Sequence, residues 1–360
     1  MKKKNIAILF GGKSAEHEVS LISAKNVIRA IDRKKYQPIL LGIDKKGKWS
    51  LFSEKDFLVN PDDLKKVRLG KPLAEVALLP GSGGNLRILD SGKKMKLDAV
   101  FPVMHGTFAE DGTIQGLLKL ADVPFVGAGV LGSSVGMDKE IMKRILRDEG
   151  LPVGKFLVFR DFEKVDFGEI SRKLRLPFFV KPANLGSSVG VSKVEDKRDF
   201  KKAIEEAFWF DRKIIIEENI AGREIECAVL GNDAPQASVC GEVIPTRDFY
   251  SYEAKYIDED GAILEMPAKL SKRDEKRVRD LAIRAFRALN CEGLGRVDFF
   301  LKKDGQVLVN EINTIPGFTS ISMYPKLWEL SGIKYADLID RLIRLAIERF
   351  GKEKKLKTSY

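Results

Sequence analysis

The chain is poor in the residues that most readily mark a site. It has two histidines and three scattered cysteines, Cys227, Cys240 and Cys291, among 360 residues. That excludes a Cys/His metal centre and a disulfide framework, and unpaired thiols fit a reducing compartment. Any metal would have to sit among oxygen ligands. The chain also lacks a run of about 18 apolar residues, so no membrane span is expected. Lysines before the apolar residues 6–10 mimic a secretory leader, but the run is short and moves straight into Gly11-Gly12 and charges. A cytoplasmic protein is the expectation. The formal net charge of +11 comes from lysines and arginines spread along the chain. Without an aromatic-interleaved basic stripe, an enzyme handling anionic substrates is a better reading than a nucleic-acid binder.

A chain this long exceeds one ordinary core, and two or three domains are expected. NIAILF (5–10) reads as a buried strand of a parallel sheet, ending at Gly11-Gly12. A helical pattern with Val19, Ile22, Val27, Ala30 and Ile31 on one side follows, then YQPILLGI and a hairpin through Lys46-Gly47. Residues 53–97 carry mixed signals, with Pro61, Pro72 and PGSGG, and read as an insertion or a peripheral region. DAVFPVM (98–104) is a further strand, and a helix starts near Thr113. Residues 1–137 are therefore expected to form an α/β domain with an open parallel sheet. A helix over 138–149 stops at Gly150 with Pro152 beyond it. The strands KFLVF, PFFVKPA, GVSKV and KIIIEENI, with a helix over 197–208, make 138–221 a small α+β unit. The remainder, 222–360, holds strands REIECAVLGN and ASVCGEVI, a polar loop at 245–267 suited to a lid, and helices over 272–289 and 335–350.

Two stretches carry chemistry. VKPANLGSSVG (180–190) is a strand end followed by a Gly-Ser-Ser loop, whose backbone N–H groups could cradle phosphate. Its lysine precedes the glycine, unlike a P-loop, so a surface turn is the plain alternative. GRVDFFLKKDGQVLVNEIN (295–313) reads as a hairpin turning at Asp304-Gly305, or over a four-residue loop at 303–306 in the same register. That register sets Asp298 opposite Glu311 and Arg296 opposite Asn313, all on one face. Carboxylates about 5 Å apart repel by roughly 3 kcal/mol at an effective dielectric of about 20. Two carboxylates and an amide oxygen suit Mg²⁺, which completes its shell with water and substrate phosphates. The alternatives are that Arg296 satisfies both acids or that a bulge separates them.

Taken in order, VKPANLGSSVG, EENIAGRE, GRVDFF and VNEINTIPG resemble the ATP-grasp superfamily. FGGKSAEHEVSLISA, HGTFAEDGTIQGLL, GSSVGMDK, FYSYEAKY and NEINTIPGFTSISMYP resemble, more closely, the D-alanine–D-alanine ligase family, over residues 5–332. The resemblance implies a Rossmann-like N-terminal domain (1–137) followed by two ATP-grasp subdomains, 138–221 with the glycine-rich loop and 222–360 with the metal site. It implies ATP-dependent joining of two D-alanines through an acyl phosphate for peptidoglycan synthesis, in a cytoplasmic homodimer with no membrane or nucleic-acid partner. The cofactors implied are ATP and Mg²⁺, with Mn²⁺ possible in its place.

By the same resemblance, Lys139, Lys181 and Lys255 reach ATP phosphates, and Gly186, Ser187 and Ser188 close over them. The backbone at Glu217, Glu218 and Ile220 reads adenine, Glu224 takes the ribose hydroxyls, and Asn310 belongs to the nucleotide site. The acids of KIIIEEN could otherwise be edge-strand charges. Asp298, Glu311 and Asn313 would hold two Mg²⁺ ions. Glu16 holds the first D-alanine's ammonium with Ser187 and Tyr256 as partners, and His105 lies near its carboxylate. Arg296 and the Gly317 N–H stabilise the acyl-transfer intermediates; Ser322 with Arg296 takes the second D-alanine's carboxylate, and Met323 lies against its methyl. Rival readings are a ligase taking D-lactate or D-serine, against which Tyr256 in EAKY argues, another ATP-grasp ligase, and a non-catalytic nucleotide- or nucleic-acid-binding module.

Overall fold

The structure is a computed structural model and describes residues 2–246 and 262–357. The apolar run near the N-terminus forms the strand Lys4–Gly11, with parallel neighbours Tyr36–Ile43 and Ala99–Pro102. Ile6, Ile8 and Phe10 pack into one core while Ala7 and Leu9 pack into another on the opposite face. A strand covered on both sides has no polar positions to alternate, hence its unbroken hydrophobicity.

The sheet is parallel only around that strand. Trp49–Phe52 returns antiparallel past the turn at Gly47, and Ala74–Leu78, Asn85–Ile88 and Lys94–Lys96 continue the sheet to seven strands. Residues 53–97 are thus peripheral in place but not a separate appendage. The connections at 79–84 and 89–93 are too short for anything but antiparallel pairing, because a parallel return needs a crossover of about a dozen residues or more.

A second, four-stranded antiparallel sheet runs Phe156–Arg160, Lys213–Glu218, Phe178–Pro182, Ser192–Val194. Its core packs Phe178 and Ile214 against Phe200 and Ala203 of the helix Lys197–Phe210. Lys213–Glu218 is an interior strand, so Glu217 and Glu218 are not edge charges.

A third sheet is antiparallel throughout, in the order Ala262–Glu265, Gln236–Pro245, Gly222–Gly231, Gly293–Lys302, Val307–Asn313. The helix Lys272–Ala288 covers one face through Val278, Leu281, Ala282 and Phe286. The other face fronts the cavities described below. Lys255 and Tyr256, with the rest of 247–261 from the lid expected over 245–267, lie outside the described residues, and Ala262–Glu265 of that stretch is the edge strand of this sheet.

Between these sheets runs the helix Lys139–Asp148, started by the Asp138 side chain accepting from the N–H groups of Glu140 and Ile141. Lys139 and Lys143, one turn apart, both lie on its buried face. The helix Tyr335–Glu353 puts Leu338, Ile339, Leu342 and Ile343 into the same core as Ile6 and Ile8, joining the chain's end to its beginning. No helix among the described residues is long and apolar enough to cross a membrane.

Candidate active site

The hairpin expected over 295–313 forms, by a route that differs in detail from the expected one. Lys302 N–H bonds to the Gln306 carbonyl, so the loop has three residues, with Gly305 at a left-handed φ of 81°. This pairs Phe299 with Val309, one residue out of step with the pattern read from the sequence. A bulge at Asn310 then restores it, and Asp298 pairs with Glu311 and Arg296 with Asn313 as expected. Val297, Phe299, Val309 and Ile312 enter the core under the helix. The half-buried Arg296, Asp298, Glu311 and Asn313 take the opposite face.

The charges on this face are interlocked. Arg296 donates to both oxygens of Asp298 at 2.7 Å and pairs with Glu226 at 2.9 Å. Asn313 Nδ2 donates to Asp298 at 3.0 Å, and Lys139 Nζ stands 3.6 Å from Glu311. Arg296 is therefore shared between Asp298 and Glu226, and Glu311 looks toward a separate lysine. Among the described residues no three His, Cys, Asp or Glu side chains form a complete cage for a metal. Two carboxylates and an amide are instead the partial oxygen set that Mg²⁺ accepts when phosphates and water supply the rest.

The face borders a cavity of about 260 Å³ lined by Lys139, Lys143, Lys181 and Glu217, with Ile220 and Glu224 farther along. Lys181 donates to Glu217 at 2.6 Å, and Lys143 stands 2.9 Å from that carboxylate's other oxygen. Burial alone would raise the Glu217 pKa; the two ammonium groups outweigh it and hold the carboxyl well below its usual range. Lys181 is likewise pulled down by burial but ends above its ordinary value, mainly through Glu217. Glu218, which also lines this cavity, accepts the Lys155 N–H at 2.7 Å. The sequence reading gave Glu217 only a backbone role and missed Lys143. Its spacing of four from Lys139 puts both on one helix face, but its burial against Glu217 has no local signature.

Ser187 and Ser188 both take left-handed φ values, 53° and 58°. Such conformations are uncommon away from glycine and cluster at ligand-clamping loops. The loop separates the first cavity from a second of about 480 Å³; Gly186 and Ser187 line both. Ser187 Oγ donates to the Glu16 carboxylate, bringing together two residues the sequence had paired. Arg296, Asn313, Gly317, Ser322 and Met323 line the same second cavity. Ser322 Oγ accepts the Thr319 N–H at 2.9 Å, close under Gly317.

One pair here was only half legible. His105 Nδ1 donates to the Ile315 carbonyl at 2.9 Å, and the Ile315 N–H donates to Glu110 at 2.9 Å. The peptide leading into Gly317 is thus gripped from both sides by the HGTFAE stretch. Burial pushes the His105 pKa down, against the pull of Glu16. Burial, with Glu16 nearby, pushes the Glu110 carboxyl up to about 7.

Family models described as D-ala D-ala ligase N-terminus and D-ala D-ala ligase C-terminus match residues 5–128 and 145–344. The chain belongs to the D-ala D-ala ligase family. It is 55% identical over 361 residues to a D-alanine–D-alanine ligase of Oceanobacillus iheyensis, covering 99% of each chain. It is 50% identical over 364 residues to D-alanine–D-alanine ligase A of Escherichia coli K12, covering 100% of both. Among solved structures, the D-alanine–D-alanine ligase from Coxiella burnetii superposes with a TM-score of 0.86 at 39% identity, covering 99% of this chain and 97% of that one. VanG D-Ala:D-Ser ligase from Enterococcus faecalis gives 0.85 at 36%, covering 96% and 100%. Family likeness therefore spans both cavities and the hairpin between them, and includes the fold expected from the motifs.

Proposed function

We propose that the chain joins two D-alanines into D-alanyl-D-alanine at the expense of ATP, through D-alanyl phosphate, for peptidoglycan synthesis. The observation that carries this reading is the meeting of the two cavities at Ser187, whose hydroxyl bonds to Glu16. A nucleotide in the lysine-lined cavity would direct its terminal phosphate toward an amino acid held at Glu16. The division into 1–137, 138–221 and 222–360 would give one unit to each side of that junction and one to its floor.

In this reading Glu16 holds the ammonium of the first D-alanine, with Tyr256 as a further partner. That D-alanine's carboxylate attacks the γ-phosphorus, and ADP leaves. Lys139, Lys181, Lys255, the 186–188 loop and Asn310 bind the nucleotide, with Glu218 and Ile220 at the base and Glu224 at the ribose. Asp298, Glu311 and Asn313 would hold Mg²⁺, or Mn²⁺, which neutralises charge on the transferred phosphoryl group. The second D-alanine, its carboxylate at Arg296 and Ser322 and its methyl at Met323, attacks the acyl carbon through its neutral amine, which forms the C–N bond and gives its spare proton to the departing phosphate. The Gly317 N–H and Arg296 stabilise the oxyanion as phosphate leaves. His105 and Glu110 keep the Gly317 peptide in place. Use of ATP and three free, buried cysteines support a cytoplasmic setting. A homodimer belongs to the same reading, and light scattering should then give about twice the chain mass.

The test is phosphate release from ATP and Mg²⁺ with D-alanine, L-alanine, D-lactate and D-serine. D-Alanine alone should drive release with dipeptide as product; no release with D-alanine ends the reading. The likeness to VanG favours D-serine as the second reading for the second substrate. A mixed D-Ala–D-Ser product would select it.

A further inference from the structure

We infer that Lys143 is a positioning residue that ties the nucleotide-binding strand to the bulge that sets the Asp298–Glu311 pair. The inference rests on the proposed nucleotide and metal sites. Lys143 is 3% exposed and sends its ammonium between two features of different sheets. On one side is Glu217, at 2.9 Å, at the end of the interior strand Lys213–Glu218. On the other is the carbonyl of Asn310, which accepts from Lys143 Nζ at 3.0 Å. Asn310 is the bulged residue, and its extra place in the strand brings Glu311 level with Asp298. One side chain therefore fixes both the counter-ion of Lys181 and the backbone step that assembles the carboxylates.

The helix carrying Lys143 is itself clamped. Lys213 pairs with Asp138 at 2.5 Å and with Glu140 at 2.8 Å, and Asp138 caps the helix. The root of Lys143 is thus fixed by the four-stranded sheet, and its tip by both sheets. Lys139, one turn earlier, points to Glu311. With a neutral side chain at 143, Glu217 keeps only Lys181 as a close cation among the described residues, and the bulge carbonyl loses this donor. A buried carboxylate short of a cation re-orients or draws Lys181 toward itself, so nucleotide affinity falls. A looser bulge lets Glu311 drift from Asp298, so more cation is needed.

The test compares full-length wild type, Lys143→Met and Lys143→Arg. Calorimetric titration with a non-hydrolysable ATP analogue, with and without Mg²⁺, reads binding without turnover; phosphate release against Mg²⁺ concentration reads the metal requirement. The Met variant should bind the analogue about tenfold more weakly, the loss of one hydrogen bond to a charged group. It should also need several-fold more Mg²⁺ for half-maximal rate, while KM for D-alanine stays within about twofold. Arginine, which keeps a cation and several donors, should recover most of both losses. Unchanged analogue affinity and Mg²⁺ requirement in the Met variant overturn the inference, as does a D-alanine KM that rises in step with them. If the Met variant does not fold, Lys143→Gln replaces it, and unchanged analogue affinity there overturns the inference equally. Failure of the wild type to bind the analogue would instead sink the proposed function.

Discussion

Asp298 stands opposite Glu311 although its neighbour Phe299 stands opposite Val309, so the strand carrying Glu311 holds one residue more than its partner. Bulges of this kind re-aim side chains next to active sites. Here the extra residue, Asn310, puts two acids and an amide on the face shared by the two cavities, while Val309 and Ile312 stay in the core.

Glu311→Gln keeps the shape of this pair and removes one of its charges. Turnover should fall on the order of a thousandfold, several kcal/mol of lost charge stabilisation. The melting temperature should stay within a few degrees, since Glu311 is only half-buried. Phosphate release and calorimetry on the same preparation check both. Near-normal turnover would count against the metal site.

Gly106 has a φ of 71°, and a Cβ there would lie 2.8 Å from Ser14 Oγ and 2.9 Å from a Glu16 carboxylate oxygen. Gly106→Ala should cost about 1–2 kcal/mol of stability from backbone strain. Because the methyl also displaces Glu16, KM for D-alanine should rise roughly tenfold while ATP affinity changes little. Steady-state kinetics in each substrate separates the two. Equal changes in both would point to general loosening.

Glu110 titrates near 7 instead of its ordinary 4.5 because of burial and the Glu16 charge. Its folded pKa is raised, so its contribution to stability is fully present below 4.5 and is lost as pH rises through about 7. In ¹³C-glutamate spectra one carboxyl should titrate in that upper range, and Glu16→Gln should lower its midpoint. The ligand-free Glu16→Gln protein should also lose less stability than wild type as pH rises through that window. A Glu110 midpoint in the usual carboxylate range would contradict this account of the pocket.

Much of the site was legible because strand patterning and cross-strand geometry are local. Alternating apolar and polar residues at 295–301 and the Asp304-Gly305 turn placed Asp298, Glu311, Arg296 and Asn313 on one face. The bulge was not legible, since the three-residue loop and the extra residue shift the register in opposite directions and leave the same final pairing. The antiparallel extension across 53–97 was hidden by very short strands with largely exposed or intermediate residues, such as Lys94–Lys96. Lys143 and Glu110 look in sequence like ordinary charges on a helix and in a loop. What marks them is burial against distant partners, Glu217 and Ile315, which no local pattern encodes.

The most direct measurement is electron paramagnetic resonance of Mn²⁺ titrated into the full-length protein with a non-hydrolysable ATP analogue, for wild type, Asp298→Asn and Glu311→Gln. Wild type should take up two Mn²⁺ per chain when the analogue is present, with each substitution weakening or removing uptake. The same tight Mn²⁺ uptake in all three proteins would contradict a nucleotide-metal site on this hairpin.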